Sequence, residues 1–182
     1  MEYLSENEKF QEAMDIVRTN CGDKMWLVGG SVYRGLAHLM YDIEEPDVDF
    51  DFIVGDPNGN IILPNTWRLH RNTYGNPKFV GGEFSIDFVP LSTVVSIKRR
   101  GLEFIFDNFL TGTPLTVQSI AYDVALGKII GEIGINALES GSVGVNNLGQ
   151  ALFCSRKKGI SVEDLIREKA KSLGFEPVLE LV

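Results

Sequence analysis

The sequence predicts an α/β (α+β) fold, a mixed sheet flanked by helices. Three observations predict it. Short apolar runs bounded by glycine or proline recur at 25–30, 47–54 and 81–90, as strands do. Stretches with apolar residues at helical spacing lie among them. With 182 residues, 44% hydrophobic and 23% charged, the composition is that of an ordinary globular domain. Such a chain buries about 70% of its unfolded surface as one domain over residues 1–182.

Taken in order, residues 5–20 read as a helix. Ser5 and Glu8 make a capping box, and Phe10, Met14 and Val17 form one apolar stripe. Met25–Val28 is a strand that ends in Gly29-Gly30. Ser31 to Tyr41 comes next as a helix on Val32, Leu36, Leu39 and Met40. Asp47-Val-Asp49-Phe-Asp51-Phe-Ile-Val54 is an acidic strand. The turn signal Asp56-Pro-Asn-Gly59 predicts that it pairs antiparallel with residues 61–63. Strands are expected at 66–74, 81–90, 102–109, 117–123 and 128–130, and a short helix at 93–99. Beyond Gly144 come an Asn146-Asn147-Leu-Gly149 loop, the basic cluster Arg156-Lys-Lys158 and one helix. That helix is capped by Ser161, has acids in its first turn, and stops at Gly174.

The acidic strand carries the chemistry. Alternate strand residues share a face, so Asp47, Asp49 and Asp51 line one side while Val48, Phe50, Phe52 and Val54 enter a core. A half-exposed strand with a solvated acidic face shows the same alternation. Yet Asp is a poor strand former, and carboxylates about 5 Å apart repel by about 3 kcal/mol at an effective dielectric near 20. The stack therefore calls for a cation, and a hard one such as Mg²⁺ takes oxygen ligands and is completed by substrate phosphates. Strand, Gly29-Gly30-Ser31, helix is a phosphate-cradle arrangement. The glycines admit an anion to backbone N–H groups, Ser31 caps the helix and bonds to the anion, and the helix N-terminus favours negative charge. In the run Gly81 to Pro90, Asp87 shares a face with Ser85 and Val89, opposite Phe84, Ile86 and Phe88. It is the candidate partner carboxylate, a metal ligand that also takes the proton of an attacking hydroxyl.

These residues resemble the polymerase-β-type nucleotidyltransferase superfamily, and more narrowly the head domain of bacterial poly(A) polymerases and CCA-adding tRNA nucleotidyltransferases. Leu115-Thr-Val-Gln-Ser-Ile-Ala-Tyr-Asp123 is similar to that family's Phe-Thr-Ile-Asn-Ala-Ile-Ala-Tyr-Asp run, and Gly127-Lys-Ile-Ile with Gly134-Ile-Asn-Ala-Leu-Glu139 echoes the family's next segment. The likeness is strongest over residues 24–145. It implies a nucleotidyltransferase-like sheet and transfer of an NMP from an NTP (ATP among them) to an acceptor hydroxyl, with release of pyrophosphate. Gly29, Gly30, Ser31 and Arg34 would hold the nucleotide. Asp47, Asp49 and Asp87 would be catalytic and would bind Mg²⁺ or Mn²⁺. The family pattern Asp-Val-Asp-Phe falls on Asp47 and Asp49 with Asp51 as an extra ligand, but the register Asp49-Phe-Asp51-Phe also fits on physical grounds.

Three departures stand out. Tyr33 occupies a position where the family has arginine, 16 residues separate Gly30 from Asp47 where a dozen or so is usual, and Gly112-Thr113-Pro114 replaces an Arg-Arg-Asp. The missing arginines would have to come from Arg34, Arg68 or Arg71. The rival expectation is a catalytically degenerate nucleotide-binding or protein-interaction module.

Charge and length bear on the partners. A net charge of −8 argues against a broad nucleic-acid footprint. The acceptor is expected to be an RNA 3′ end, as RNA processing in the family implies, or a small molecule or protein hydroxyl. No neck or body domain is read in the chain, so the expected unit is a head acting alone, with a protein partner or as a homo-oligomer. No apolar stretch of membrane-spanning length and no signal pattern is present, and Cys21 and Cys154 lack ligand spacing. A cytoplasmic protein away from membranes is therefore expected. Lys98-Arg-Arg100 and Arg156-Lys-Lys158 read as solvated surface, and His38, His70, Trp26 and Trp67 as ordinary packing residues.

Overall fold

The structure, a computed structural model, describes residues 7–44 and 49–180. Helix α1 (Glu8–Cys21) is capped by Asn7, whose side chain accepts from Phe10 N at 3.0 Å; Ser5 lies outside the described residues. Strand β1 (Met25–Val28) runs into α2 (Gly30–Tyr41), and β2 (Phe50–Val54) comes after it. Next are β3 (Arg68–Arg71), β4 (Pro77–Val80) and β5 (Ser85–Pro90). Two short helices, α3 (Val95–Arg100) and α4 (Phe106–Leu110), lead to β6 (Ala121–Asp123) and β7 (Lys128–Ile130). The chain closes with α5 (Glu132–Glu139), β8 (Ser142–Val143), α6 (Leu148–Lys158), α7 (Val162–Leu173) and β9 (Glu176–Pro177).

Seven strands form one mixed sheet in the order β3-β4-β5-β2-β1-β6-β7. Only β2 and β5 pair in parallel within it; the other neighbours are antiparallel. The alternation along β2 and β5 divides the sheet into two faces. Phe50, Phe52, Val54, Ile86 and Phe88 are buried with Phe10, Val17 and Val32 of α1 and α2 in the larger core. Val28 and Ile53 point the other way, into a smaller core with Leu91, Ile97, Phe106 and Leu110. Asp51 and Asp87 belong to this second face by strand periodicity. Apolar area is buried on both faces, at about 25 cal/mol per Å², and this fixes the sheet between its helices.

Several elements differ from expectation. The acidic strand begins at Phe50, and Asp47 and Val48 lie outside the described residues. Residues 61–63 form no strand beside it, because β1 and β5 already take both edges of β2. That segment is instead fixed by the buried Asn20, which accepts from Ile62 N at 2.7 Å and donates to Ile62 O at 2.8 Å. Residues 106–110 are helical rather than extended: the turn brings Phe106 and Phe109 together, ring centroids 5.4 Å apart, and Phe106 packs on Trp26 at 4.3 Å. The 117–123 strand shortens to Ala121–Asp123, preceded by a 3₁₀ turn at Thr116–Gln118. The C-terminal part holds two helices, not one, since residues 148–158 are helical behind an Asn147 cap.

Candidate active site

The site is built where β1 ends. Gly29 takes φ +75° as the N-cap of α2, a backbone that L side chains rarely adopt. Glycine is needed there for a second reason: a Cβ at this position would overlap Asp51 Oδ2. Asp51 stands opposite Val28 on β1 and opposite Asp87 on β5. The strand-to-helix turn, Asp51 and Asp87 thus meet on one side of the sheet.

Each carboxylate has its own surroundings. Asp87 accepts from Asn72 Nδ2 at 2.9 Å and pairs with Lys78 Nζ at 3.0 Å. Asp49 Oδ1 accepts from both Ser85 N (2.9 Å) and Ser85 Oγ (2.6 Å). Asp51 accepts no hydrogen bond among the described residues. Burial pushes its carboxyl up to about 6, helped by the charge of Asp87, opposed by Lys78, and raised a little further by Asp49. For Lys78, burial works to lower the pKa, but the hydrogen bond to Asp87 and the charges of Asp87, Asp49 and Asp51 outweigh it and raise it.

Asp51, Asp87 and Gly29 border a cleft of about 520 Å³. Val28, Ile53, Val89 and Val94 contribute apolar wall, and Tyr74, Arg99, Gln118, Gln150 and Phe153 are among its other lining residues. Arg99 reaches Gln150 Oε1 at 2.8 Å and lies 3.8 Å over the Phe153 ring. Gln118 Oε1 is buried and has no hydrogen-bond partner among the described residues. Buried polar atoms are normally satisfied, and this acceptor is an exception to that rule. The wall that carries Gln150 and Phe153 is delivered by Asn146 and Asn147. Asn146 Nδ2 ties Leu110 O (2.9 Å) and Thr113 O (3.0 Å), while Asn147 caps α6 and donates to Thr111 O at 3.1 Å.

The expected site residues separate into two groups. Gly29, Asp51 and Asp87 line the cleft. Gly30, Ser31, Arg34 and Asp49 are not among its lining residues. Ser31 is buried and returns its hydroxyl to Val28 O at 3.2 Å instead of capping α2, whose cap is Gly29. Asp47 lies outside the described residues. Tyr33 is buried away from the cleft, its hydroxyl accepting from Lys169 at 2.7 Å. Of the arginines weighed as replacements, Arg71 is engaged by Gly75 O at 2.7 Å. Arg99, Gln150, Phe153 and Lys78 were not singled out by the sequence as site residues. For Arg99 the signal was present in the basic cluster at 98–100, read there as solvated surface.

The donor set fits a hard divalent cation in part. Asp51, and Asp49 just before the strand, offer oxygens of the kind Mg²⁺ takes. Among the described residues, however, no three His, Cys, Asp or Glu side chains converge as a metal-holding group. No helix among the described residues is long and apolar enough to cross a membrane.

No protein-family model and no curated protein matches the sequence. The fold is nonetheless that of the nucleotidyltransferase heads. The crystal structure of the Bacillus stearothermophilus CCA-adding enzyme in complex with CTP superposes with a TM-score of 0.61 at 19% identity, over 94% of this chain and 41% of that one. A tRNA nucleotidyltransferase complexed with a primer tRNA and an incoming ATP analogue gives 0.58 at 18% identity, over 92% and 46%. A CCA-adding enzyme with ATP gives 0.58 at 18%, over 94% and 40%. The chain therefore spans less than half the length of these structures.

Proposed function

We propose that this chain is a nucleotidyltransferase head that transfers an NMP from an NTP to an acceptor hydroxyl. One observation carries the reading: the Gly29 turn rests on Asp51, which faces Asp87 across parallel strands at the rim of an apolar cleft. Solved proteins of this fold bind CTP and ATP, which supports an NTP as the substrate.

In this reading the triphosphate lies against the backbone N–H groups that begin α2, where the helix end favours anions. The nucleoside extends along the cleft toward Gln118, Arg99 and Phe153. Asp49 and Asp51 are the residues that would hold Mg²⁺ or Mn²⁺, in the second of the two strand registers. Held there, such a cation would neutralise phosphate charge. Asp87 orients the acceptor hydroxyl and takes its proton, since a carboxylate keeps lone pairs beyond the two bonds from Asn72 and Lys78. The acceptor oxygen bonds to the α-phosphorus, the bond to the bridging oxygen breaks, and pyrophosphate leaves.

The test is pyrophosphate release from each of the four NTPs with Mg²⁺ or Mn²⁺, with and without RNA, beside an Asp51→Ala control. Release abolished in the control supports the reading, and full turnover by the control overturns it. Release that requires RNA and weakens steeply with salt identifies an RNA 3′ end as the acceptor; RNA-independent release identifies a small-molecule or protein hydroxyl. A primer tRNA in one similar structure favours RNA, and the net charge of −8 favours the smaller acceptors.

A second reading draws on the ion pair that already engages Asp87. It is a nucleotide-binding module without turnover, and metal-dependent NTP binding with no pyrophosphate release distinguishes it.

A further inference from the structure

Two-metal phosphoryl transfer places two divalent cations against a shared set of carboxylates. Resting on the nucleotidyltransferase reading above, the carboxylates of this chain divide unequally between cations. Lys78 lies directly across the β4–β5 ladder from Asp87, and its Nζ is 3.0 Å from Oδ2. Asn72 holds the other oxygen at 2.9 Å. The pair is sheltered, its side chains 31% and 20% exposed, unlike the other, more exposed ion pairs of the described residues. Asp49 is also engaged on one oxygen, by Ser85. Of the three, Asp51 alone accepts no hydrogen bond among the described residues. An ammonium fixed on Asp87 repels a divalent ion from that carboxylate and has no lone pair with which to ligate one.

We propose that Lys78 stands in for one of the two cations, so that the chain with bound NTP takes a single divalent ion. The positive charge on the Asp87 side is then covalently tethered. It needs no ion from solution, and it is held in place by strand pairing rather than by ligand exchange.

Counting bound Mn²⁺ by electron paramagnetic resonance tests the inference without relying on turnover. The full chain is titrated with Mn²⁺ in the presence of a non-hydrolysable ATP or CTP analogue. The expected count is one ion per chain for the wild type, one for Lys78→Arg, which keeps the charge, and two for Lys78→Met. Two ions in the wild type would overturn the proposal while leaving the NTP site intact. One ion in a folded Lys78→Met chain would overturn it as well. Because the wild-type and Lys78→Arg counts stand alone, the test survives misfolding of the Met variant. If the wild type bound no Mn²⁺ with either analogue, the nucleotide reading itself would fall, and the inference with it.

Discussion

Asp51 and Asp87 occupy facing positions on parallel strands, in register with each other, and Lys78 is paired with the second of them. The arrangement loads negative charge onto the sheet where a folding domain gains nothing from it. Burial first, and the charge of Asp87 after it, raise the carboxyl of Asp51 from 3.8 to about 6.

The first prediction concerns stability against pH. A carboxyl whose folded-state value lies above its unfolded one binds more protons when native. Its penalty is therefore absent below about pH 4, grows between about 4 and 6, and is complete above that, reaching at most about 3 kcal/mol. Asp51→Asn is expected to raise the Tm at pH 7.5 without added metal, by an amount that shrinks as pH falls below about 6. Thermal melts across this range check it, and a variant less stable than wild type at pH 7.5 contradicts it.

Gly29→Ala sets a methyl against Asp51 Oδ2 at a backbone angle that alanine tolerates poorly. A loss of about 1–3 kcal/mol in unfolding free energy is expected. NTP binding should fall with it, because the turn and Asp51 shift together. Denaturant unfolding and calorimetry with ATP or CTP measure the two effects separately.

Gln118→Leu separates ligand binding from folding. Its Oε1 is buried without a partner among the described residues, so removing it relieves a desolvated acceptor and stability is expected to hold or to rise by about 1 kcal/mol. Nucleotide affinity should drop about tenfold, one hydrogen bond's worth. Unchanged affinity would place the nucleotide elsewhere in the cleft.

Arg99→Ala removes the contacts to Gln150 and the Phe153 ring. Weaker NTP binding with a stability change under about 1 kcal/mol is expected, since an exposed cation–π and side-chain pair contributes little to folding. Titration calorimetry beside a thermal melt decides it.

Asn20→Ala tests the fold away from the site. The amide satisfies Ile62 N and O and its own helix at Ile16 O. Its loss takes the side-chain partners from Ile62 N–H and C=O, whose bonds are partly buried, and is expected to cost about 1–2 kcal/mol. An unchanged denaturation midpoint would contradict the anchoring role.

What the sequence made legible was whatever local chemistry states by itself. The Gly29 turn, the acidic alternation and the two faces of the strand carrying Asp87 all arise from period-two spacing and backbone freedom. The residues that surround the carboxylates and the cleft obey no such local rule. Lys78 meets Asp87 through strand pairing, and Arg99 meets Gln150 across 51 residues of chain. Helix α6 went unseen because Gly149 sits in its first turn and its apolar residues mark no clean stripe. Its start is fixed by Asn146 and Asn147, side chains that also tie down the loop before it. The short helix at Phe106–Leu110 was hidden by its aromatic content, which favours strands locally until Trp26 gives it a stacking partner.

Strand β1 sits in the interior of the sheet, yet its two neighbours arrive at very different times. β2 comes within about thirty residues, whereas the bond from Trp26 Nε1 to Asp123 spans 97. Contacts of such long separation slow folding, because loop closure precedes any reward. During synthesis the nascent chain therefore carries a bare β1 edge until residue 123 has emerged from the ribosome. The cleft, one wall of which comes from α6, closes later still, once residues 148–158 have been made.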